Sequence, residues 1–354
     1  MKRLSKTILI ATLSVVLAGA LLGKDANRDA YLIFQLDNDL FTGSDTDYTN
    51  GARFAYMQPI PAESMNRLQK TLKRLSGVEG KGGFGMLGSL IETESTQYDF
   101  GIGLTQVMFT PDDPELLASP PGQRPYAAWL GLELSLHAKN EQALSSAVLS
   151  IGVTGKYAFG EETQEWVHTN ISNSPIFQGW NSQIPTEVTL NLNFDRKLRY
   201  GKLADATKDW LLQVDGYFEW GAYLGNALTE AYAGSLFRLG YNLPLQYMTP
   251  RLQFGNYPHE LFSEGHGSQS AWSLYSFAGA RGSAVLHNIT LDGPVFRSFD
   301  TGTSSEPLVG ELIAGVGVRF HGWTLAYSRT FRSKEFEGQL KSHQFGSVLI
   351  SAAF

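Results

Sequence analysis

The chain is predicted to fold as a closed antiparallel transmembrane β-barrel of about twelve strands. Three observations predict it. Apolar and polar residues alternate with a period of two in segment after segment, a secretory-type segment stands at the N-terminus, and the last residues form an aromatic-ended strand.

The alternation is clear in EVTLNLNFDRKLRY (187–200), where Val188, Leu190, Leu192, Phe194 and Leu198 oppose Thr189, Asn191, Asn193, Asp195 and Lys197. In YAAWLGLELSLHAK (126–139), Leu130, Leu132, Leu134 and Leu136 oppose Glu133, Ser135 and His137. WTLAYSRTF (323–331) repeats the pattern with Trp323, Leu325, Tyr327 and Phe331 on one side. A strand in lipid is apolar outside and polar inside. A soluble sandwich alternates as well, in the opposite sense, so the termini decide between them.

At the N-terminus, MKRLSK is basic and ILIATLSVVLAGALLG is apolar, the layout of a signal peptide over residues 1–23. Cleavage is expected between residues 20 and 26, with Ala18-Gly19-Ala20 as the small-residue site. Beyond it no apolar run reaches the ~20 residues of a spanning helix. At the other end, QFGSVLISAAF places Val348, Ile350, Ala352 and Phe354 on one face and Ser347 and Ser351 on the other. This ending resembles the C-terminal signal of bacterial outer-membrane barrels, so the chain is expected in the outer membrane of a Gram-negative cell.

Taken in order, the strand segments are 29–41, 49–60, 97–110, 124–138, 145–159, 186–199, 209–226, 229–244, 270–287, 306–320, 322–333 and 343–354. An even number closes without leaving a backbone edge unpaired in the bilayer. One barrel domain over 24–354 accounts for the chain, with a helical insertion at 61–96: Met65, Leu68, Leu72 and Leu75 have helical spacing, and a glycine-rich stretch follows. With 354 residues and no cysteine, disulfides and thiolate zinc sites are excluded. A net charge of -6 gives no support for a nucleic-acid partner.

With both termini in the periplasm, the connections after odd-numbered strands face the cell exterior. Three polar clusters then share one rim: LDNDLFTGSDTDYTNG after the first strand, FTPDDPELLASPPGQRPYAAW (109–129) after the third, and FGEETQEWVHTN (159–170) after the fifth. The first gathers Asp37, Asn38, Asp39, Asp45, Asp47, Thr49 and Asn50, and reads either as a solvated turn or as a cation-dependent site. It is not an EF-hand, because the glycine and glutamate that motif requires fall on Asn50 and Tyr56. Asp45 and Asp47 therefore read as turn residues. The third cluster reads as a short helix, with Gln164 and His168 on one face. His137 falls on the opposite end of its strand and reads as structural.

These stretches resemble the outer-membrane lipid A 3'-O-deacylases. The matching pieces are NDLF…DTDYTNG (38–51), FTP…RPYAAW (109–129), and GEETQEWVH followed by QGWNSQI (160–184). The resemblance implies a twelve-stranded barrel that hydrolyses the ester-linked acyl group at the 3' position of lipid A, using a histidine and Ca2+. It implies His168 as general base with Gln164 beside it, and Asn38, Asp39 and Thr49 as the remaining catalytic positions, Asp39 serving the metal. Arg124 and Tyr126 fall on the substrate side. An imidazole exchanges protons near neutral pH, and a divalent cation stabilises the charge that ester attack builds on the carbonyl oxygen.

Three departures from the family stand out. Gln123 replaces an acid before the Arg-Pro-Tyr run, and Phe177 stands where the family carries a tyrosine. The loop from Asp112 to Glu115 is acidic where the lipid A enzyme is basic, which opposes phosphate binding. The expected substrate is lipid A, lipopolysaccharide or a phospholipid, with no obligate protein partner. The rival readings are an outer-membrane phospholipase and a non-catalytic barrel, either a narrow porin or a structural protein. Thr49 as a nucleophile beside Asn38 and His168 ranks below activated water.

Overall fold

The computed structural model describes residues 30–38, 50–60, 96–172, 174–200, 212–252, 257–260 and 272–353. The signal segment and all but the last residue of the 61–96 insertion lie outside the described residues. Twelve antiparallel strands close into a barrel. They are β1 (Tyr31–Asn38), β2 (Asn50–Ile60), β3 (Gln97–Phe109), β4 (Ala127–Lys139), β5 (Ala143–Thr154) and β6 (Val188–Tyr200). The second half is β7 (Gln213–Gly225), β8 (Leu228–Tyr241), β9 (Trp272–Asn288), β10 (Leu308–Phe320), β11 (Trp323–Arg332) and β12 (His343–Ala353). Neighbours in sequence are neighbours in the sheet, and β1 pairs with β12 to close it, Tyr31 opposite Ala353.

Each expected strand is present. The fifth is shorter than its pattern: it ends at Thr154, because Gly155 takes φ 69° and starts a 3-10 turn over Gly155–Ala158. The turn between β10 and β11 shows why a hairpin forms where it does. Phe320 faces Trp323 across two residues, His321 and Gly322, with φ 45° and 85°. Two positive-φ residues make the tight turn whose twist matches that of the strands.

The alternation has the membrane sense. In β6, Val188 and Leu190 are 69 % and 57 % exposed on the outside, while Asn191, Asn193, Asp195 and Lys197 are buried within. Trp272 stacks on Phe320 at 4.1 Å near the end of the barrel that carries the β8–β9 and β10–β11 connections, where an aromatic girdle belongs. This end is called the lower rim; the connections β1–β2, β3–β4 and β5–β6 lie at the upper rim.

Inside, ionic groups meet. Arg53 of β2 binds Glu133 of β4 at 3.2 Å, with Thr105 and Tyr257 donating to the same carboxylate oxygen at 2.7 Å each. Lys139 pairs with Asp99, and Asp215 holds Arg238 and Arg199. The lumen is also filled by the chain itself. Between β8 and β9 the segment from Leu243 to Leu252 turns up from the lower rim as a plug, and a two-residue ribbon, Gln246–Tyr247 against His259–Glu260, ties its two limbs. Its backbone is gripped at successive heights. Arg199 reaches Gln246 O at 2.9 Å, Gln35 reaches Thr249 O at 2.9 Å, and Ser328 donates to Pro250 O at 2.8 Å. A bore crossed by ion pairs and a hydrogen-bonded plug is a filled core, which speaks against the narrow-porin reading.

Candidate active site

The β5–β6 connection carries the helix expected around His168. Helix α1 (Gly160–Val167) opens after Phe159, which is in the left-handed region at φ 56°, and has Glu161 and Glu162 in its first turn, where the helix dipole favours acids. It is laid flat on the barrel wall. Gln106 of β3 donates to Ala158 O at 2.6 Å, and a Cβ on Gly160 would come within 2.6 Å of both the Ala128 methyl and the Trp180 ring. Glycine is thus required there by close approach.

The face that α1 meets is the outer one. In β3 the luminal residues are Thr105, Val107 and Phe109, so Gln106 and Met108 point outward. In β4, Trp129 points inward to Thr189 and Ala128 outward. Met108, Tyr126, Ala128, Ala158, Phe177 and Trp180 form one buried cluster between helix and wall. The polar groups lie in this cleft, on the lipid side of the barrel.

Gly160, Gln164 and His168 follow one another at four-residue spacing and are the buried residues of α1 and its extension. At His168 the helix widens into a π turn over His168–Ser172, a distortion that recurs at functional sites. His168 Nδ1 lies 2.5 Å from Pro175 O. A carbonyl only accepts, so Nδ1 carries the proton, and in the neutral ring Nε2 is a free base. The Phe177 ring packs edge-on against the imidazole at 5.9 Å, and Tyr126 packs edge-on against both Phe177 and Trp180.

Trp180 Nε1 donates to Gln164 Oε1 at 2.7 Å. An indole can only donate, so this bond fixes which way the amide points. The Gln164 amide nitrogen is then left buried and without a partner among the described residues. A buried unmet donor costs about 1–3 kcal/mol. The end of the β1–β2 pair has a second such atom: Asn50 Oδ1 is buried and unpaired. Asn38 faces Asn50, and Asn50 faces Met108, which faces Ala128, all of outward parity. With strands about 4.8 Å apart, this row runs along the outer face from Asn38 and Asn50 to Ala128, on which α1 is packed at Gly160.

The structure brings together His168, Gln164 and Tyr126 through Phe177 and Trp180, and places Asn38 on the same outer face of the wall, three strands from Ala128. Asp39 and Thr49 lie outside the described residues. Arg124 is elsewhere, which corrects its expected place on the substrate side. It is fully buried over the Phe109 ring at 4.0 Å, bound to Glu335 at 3.0 Å and Thr290 at 3.2 Å, and it lines a luminal cavity of about 110 Å3 with Arg251 and Arg281. Its loop crosses the barrel mouth, where Gly122 N–H donates to Gly302 O at 3.0 Å, so the guanidinium is turned inward.

The acidic loop stands beside the cleft. Tyr126 donates to Leu116 O at 3.3 Å and Gln178 N–H to Pro114 O at 3.0 Å, while Asp112 and Glu115 are solvent-exposed. Burial raises the Tyr126 phenol above its ordinary value. Sequence reasoning missed Trp180, Gln106 and Gly160; the Gly-Trp inside QGWNSQI was the available signal for the first.

Calcium takes hard oxygen ligands. Among the described residues no cluster of three His, Asp or Glu side chains exists, and the unpaired Asn50 Oδ1 is an oxygen of the required kind beside Asn38. One amide oxygen of the kind a hard cation takes is thus present, and the carboxylates of 39–47 lie outside the described residues.

The family model described as outer membrane protein LpxR matches residues 7–354. The chain belongs to the LpxR family. The solved structure of LpxR from Salmonella typhimurium is similar over 92 % of this chain and 100 % of its own, at 18 % identity and a TM-score of 0.68. The β domain of the Bordetella autotransporter BrkA is similar over 92 % of this chain and 99 % of its own, at 9 % identity and a TM-score of 0.41. The translocator domain of NalP from Neisseria meningitidis is similar over 99 % and 98 %, at 11 % identity and 0.36. No curated protein sequence matches the chain. As an LpxR-family outer-membrane barrel, the molecule presents its apolar outer wall to lipid.

Proposed function

We propose that this LpxR-family protein is a Ca2+-dependent acyl-ester hydrolase that removes the 3' ester-linked acyl group from lipid A, with the cleft at the extracellular rim. The observation that carries this reading is the pairing of a free imidazole nitrogen with an unmet amide donor on the lipid side of the wall. His168 takes a proton from water at Nε2, its ring held by the Pro175 carbonyl. Gln164, oriented by Trp180, offers its amide N–H to the carbonyl oxygen as it gains charge. Asp39 and the Asn50 amide oxygen would hold calcium, with Asn38 beside them and Thr49 closing the set. When bound, the cation supplies further Lewis-acid stabilisation of the oxyanion. Phe177 offers no hydroxyl where the family carries a tyrosine, so the ring shields the imidazole without donating a bond.

The position of the cleft supports a membrane lipid as substrate, because acyl chains reach it along the wall without entering the filled lumen. The exposed carboxylates of 112–115 weigh toward a substrate with fewer phosphates beside that loop, a phospholipid being the second reading. Mass spectrometry of lipid A incubated with the purified protein and calcium separates the two. Loss of the 3' acyl group, absent with His168→Ala, supports lipid A; unchanged lipid A with fatty acid released from phospholipid supports the second.

A further inference from the structure

Asp37 lies where the luminal plug meets the upper rim. It is fully buried and faces the lumen, and both its oxygens accept the Leu252 N–H at 3.1 Å. Arg251, one residue earlier, is held by Glu311 of β10 at 2.9 Å and 2.5 Å, so the plug is braced on a second strand, three along from β1, next to where it touches Asp37. Asn38, the next residue and the last of β1, faces the opposite way, into the row that leads to the His168 cleft. One peptide unit therefore joins the plug inside the barrel to the cleft outside it.

We propose that Asp37 is a positioning residue, through which the plug tip fixes the end of β1 and sets where Asn38 stands on the outer face that also carries the His168 helix. The idea rests on the deacylase reading above. A strand end at a rim is held by pairing on its flanks and by whatever its side chains grip. Here the Leu252 N–H is the grip that the plug supplies, beside Ser347 on the neighbouring strand, and losing it loosens the terminal pairs Asn38–Asn50 and Asn38–Gly346.

The test uses the full-length protein refolded in detergent, with heat-dependent gel mobility to verify the barrel. Asp37→Ala is expected to speed amide exchange at 36–38 and 251–252 and to lower kcat about tenfold with KM little changed, the sign of misplaced chemistry and not of lost binding. Asp37→Asn keeps an acceptor for Leu252 N–H and should recover most of the rate. Leu252→Pro deletes the donor while leaving the acid, and should reproduce the faster exchange at 36–38 and the lower kcat of Asp37→Ala; it carries the test if the alanine variant does not fold. Tyr247→Phe removes the plug hydroxyl that meets Asn140 O and Arg199 toward the lower rim and should leave both readouts unchanged. Unchanged exchange at 36–38 in a folded Asp37→Ala barrel overturns the proposal, as does faster exchange with an unaltered kcat. A wild-type protein that releases no acyl group sinks the deacylase reading, while the exchange measurements still decide the coupling.

Discussion

Inside the barrel, Glu133 is met by Arg53, Thr105 and Tyr257, and Glu311 by Arg251 and Arg332. On the outer wall under α1, Gln164 has an amide nitrogen with no partner among the described residues. Both regions are buried and polar, and the lumen too has unmet atoms, but there they belong to paired groups, as in Arg238, whose Nη1 is unmet while Nε and Nη2 bind Asp215; the Gln164 nitrogen instead shares its helix face with His168. Buried polar groups left unmet are costly in a low-dielectric setting. On the proposed reading, the lumen does the structural work and the unmet Gln164 amide, on one helix face with the His168 imidazole, serves the chemistry.

Breaking each side of this contrast should give a different signature. The largest effect is expected from His168→Ala, which should lower kcat by about 10²–10⁴ while the barrel melts unchanged; steady-state acyl release and gel mobility measure the two. Gln164→Ala should lower kcat by about 10²–10³, the usual loss of one oxyanion donor, with KM nearly constant. Chelation of calcium should abolish release and its return restore it; hydrolysis persisting in chelator would remove the metal from the scheme.

Luminal substitutions should behave in the reverse manner. Glu133→Ala strands a buried guanidinium and should cost about 3–5 kcal/mol of stability, read as a lower unfolding midpoint in denaturant, with kcat retained while the barrel is intact. The smallest effect concerns pH. Burial pushes Glu335 up, but Arg332 and Arg124 outweigh it and hold the carboxyl below its ordinary value. The stability it contributes is then fully present above the ordinary glutamate pKa of about 4.3 and is lost as pH falls through its lower folded value. Thermal midpoints taken downward from pH 5 should fall less steeply in Glu335→Gln.

The contrast also explains what could be read from the chain in advance. Strand count and facing were legible because lipid outside and charge inside impose a period of two, as in 187–200. The helix around His168 and Gln164 was legible from spacing. Which side of the wall it covers was not, since Gln106, Met108 and Ala128 reveal their direction only once the register of β3 and β4 is fixed. Arg124 misled for a related reason: it stands two residues before Tyr126, but its loop crosses the mouth and turns it inward to Glu335. The plug was invisible because Leu243 to Leu252 carries no period, and its backbone is held by side chains from β1, β6, β7 and β11 that are distant in sequence.

The claim that the scissile ester meets His168 outside the barrel can be tested with lipid A carrying a photoreactive group on its 3' acyl chain, irradiated with the His168→Ala protein in calcium. Crosslinks should map to the outer wall around 100–108 and 128–132 and to the α1 segment 157–180. Crosslinks concentrated on the luminal plug, 243–252, would contradict it.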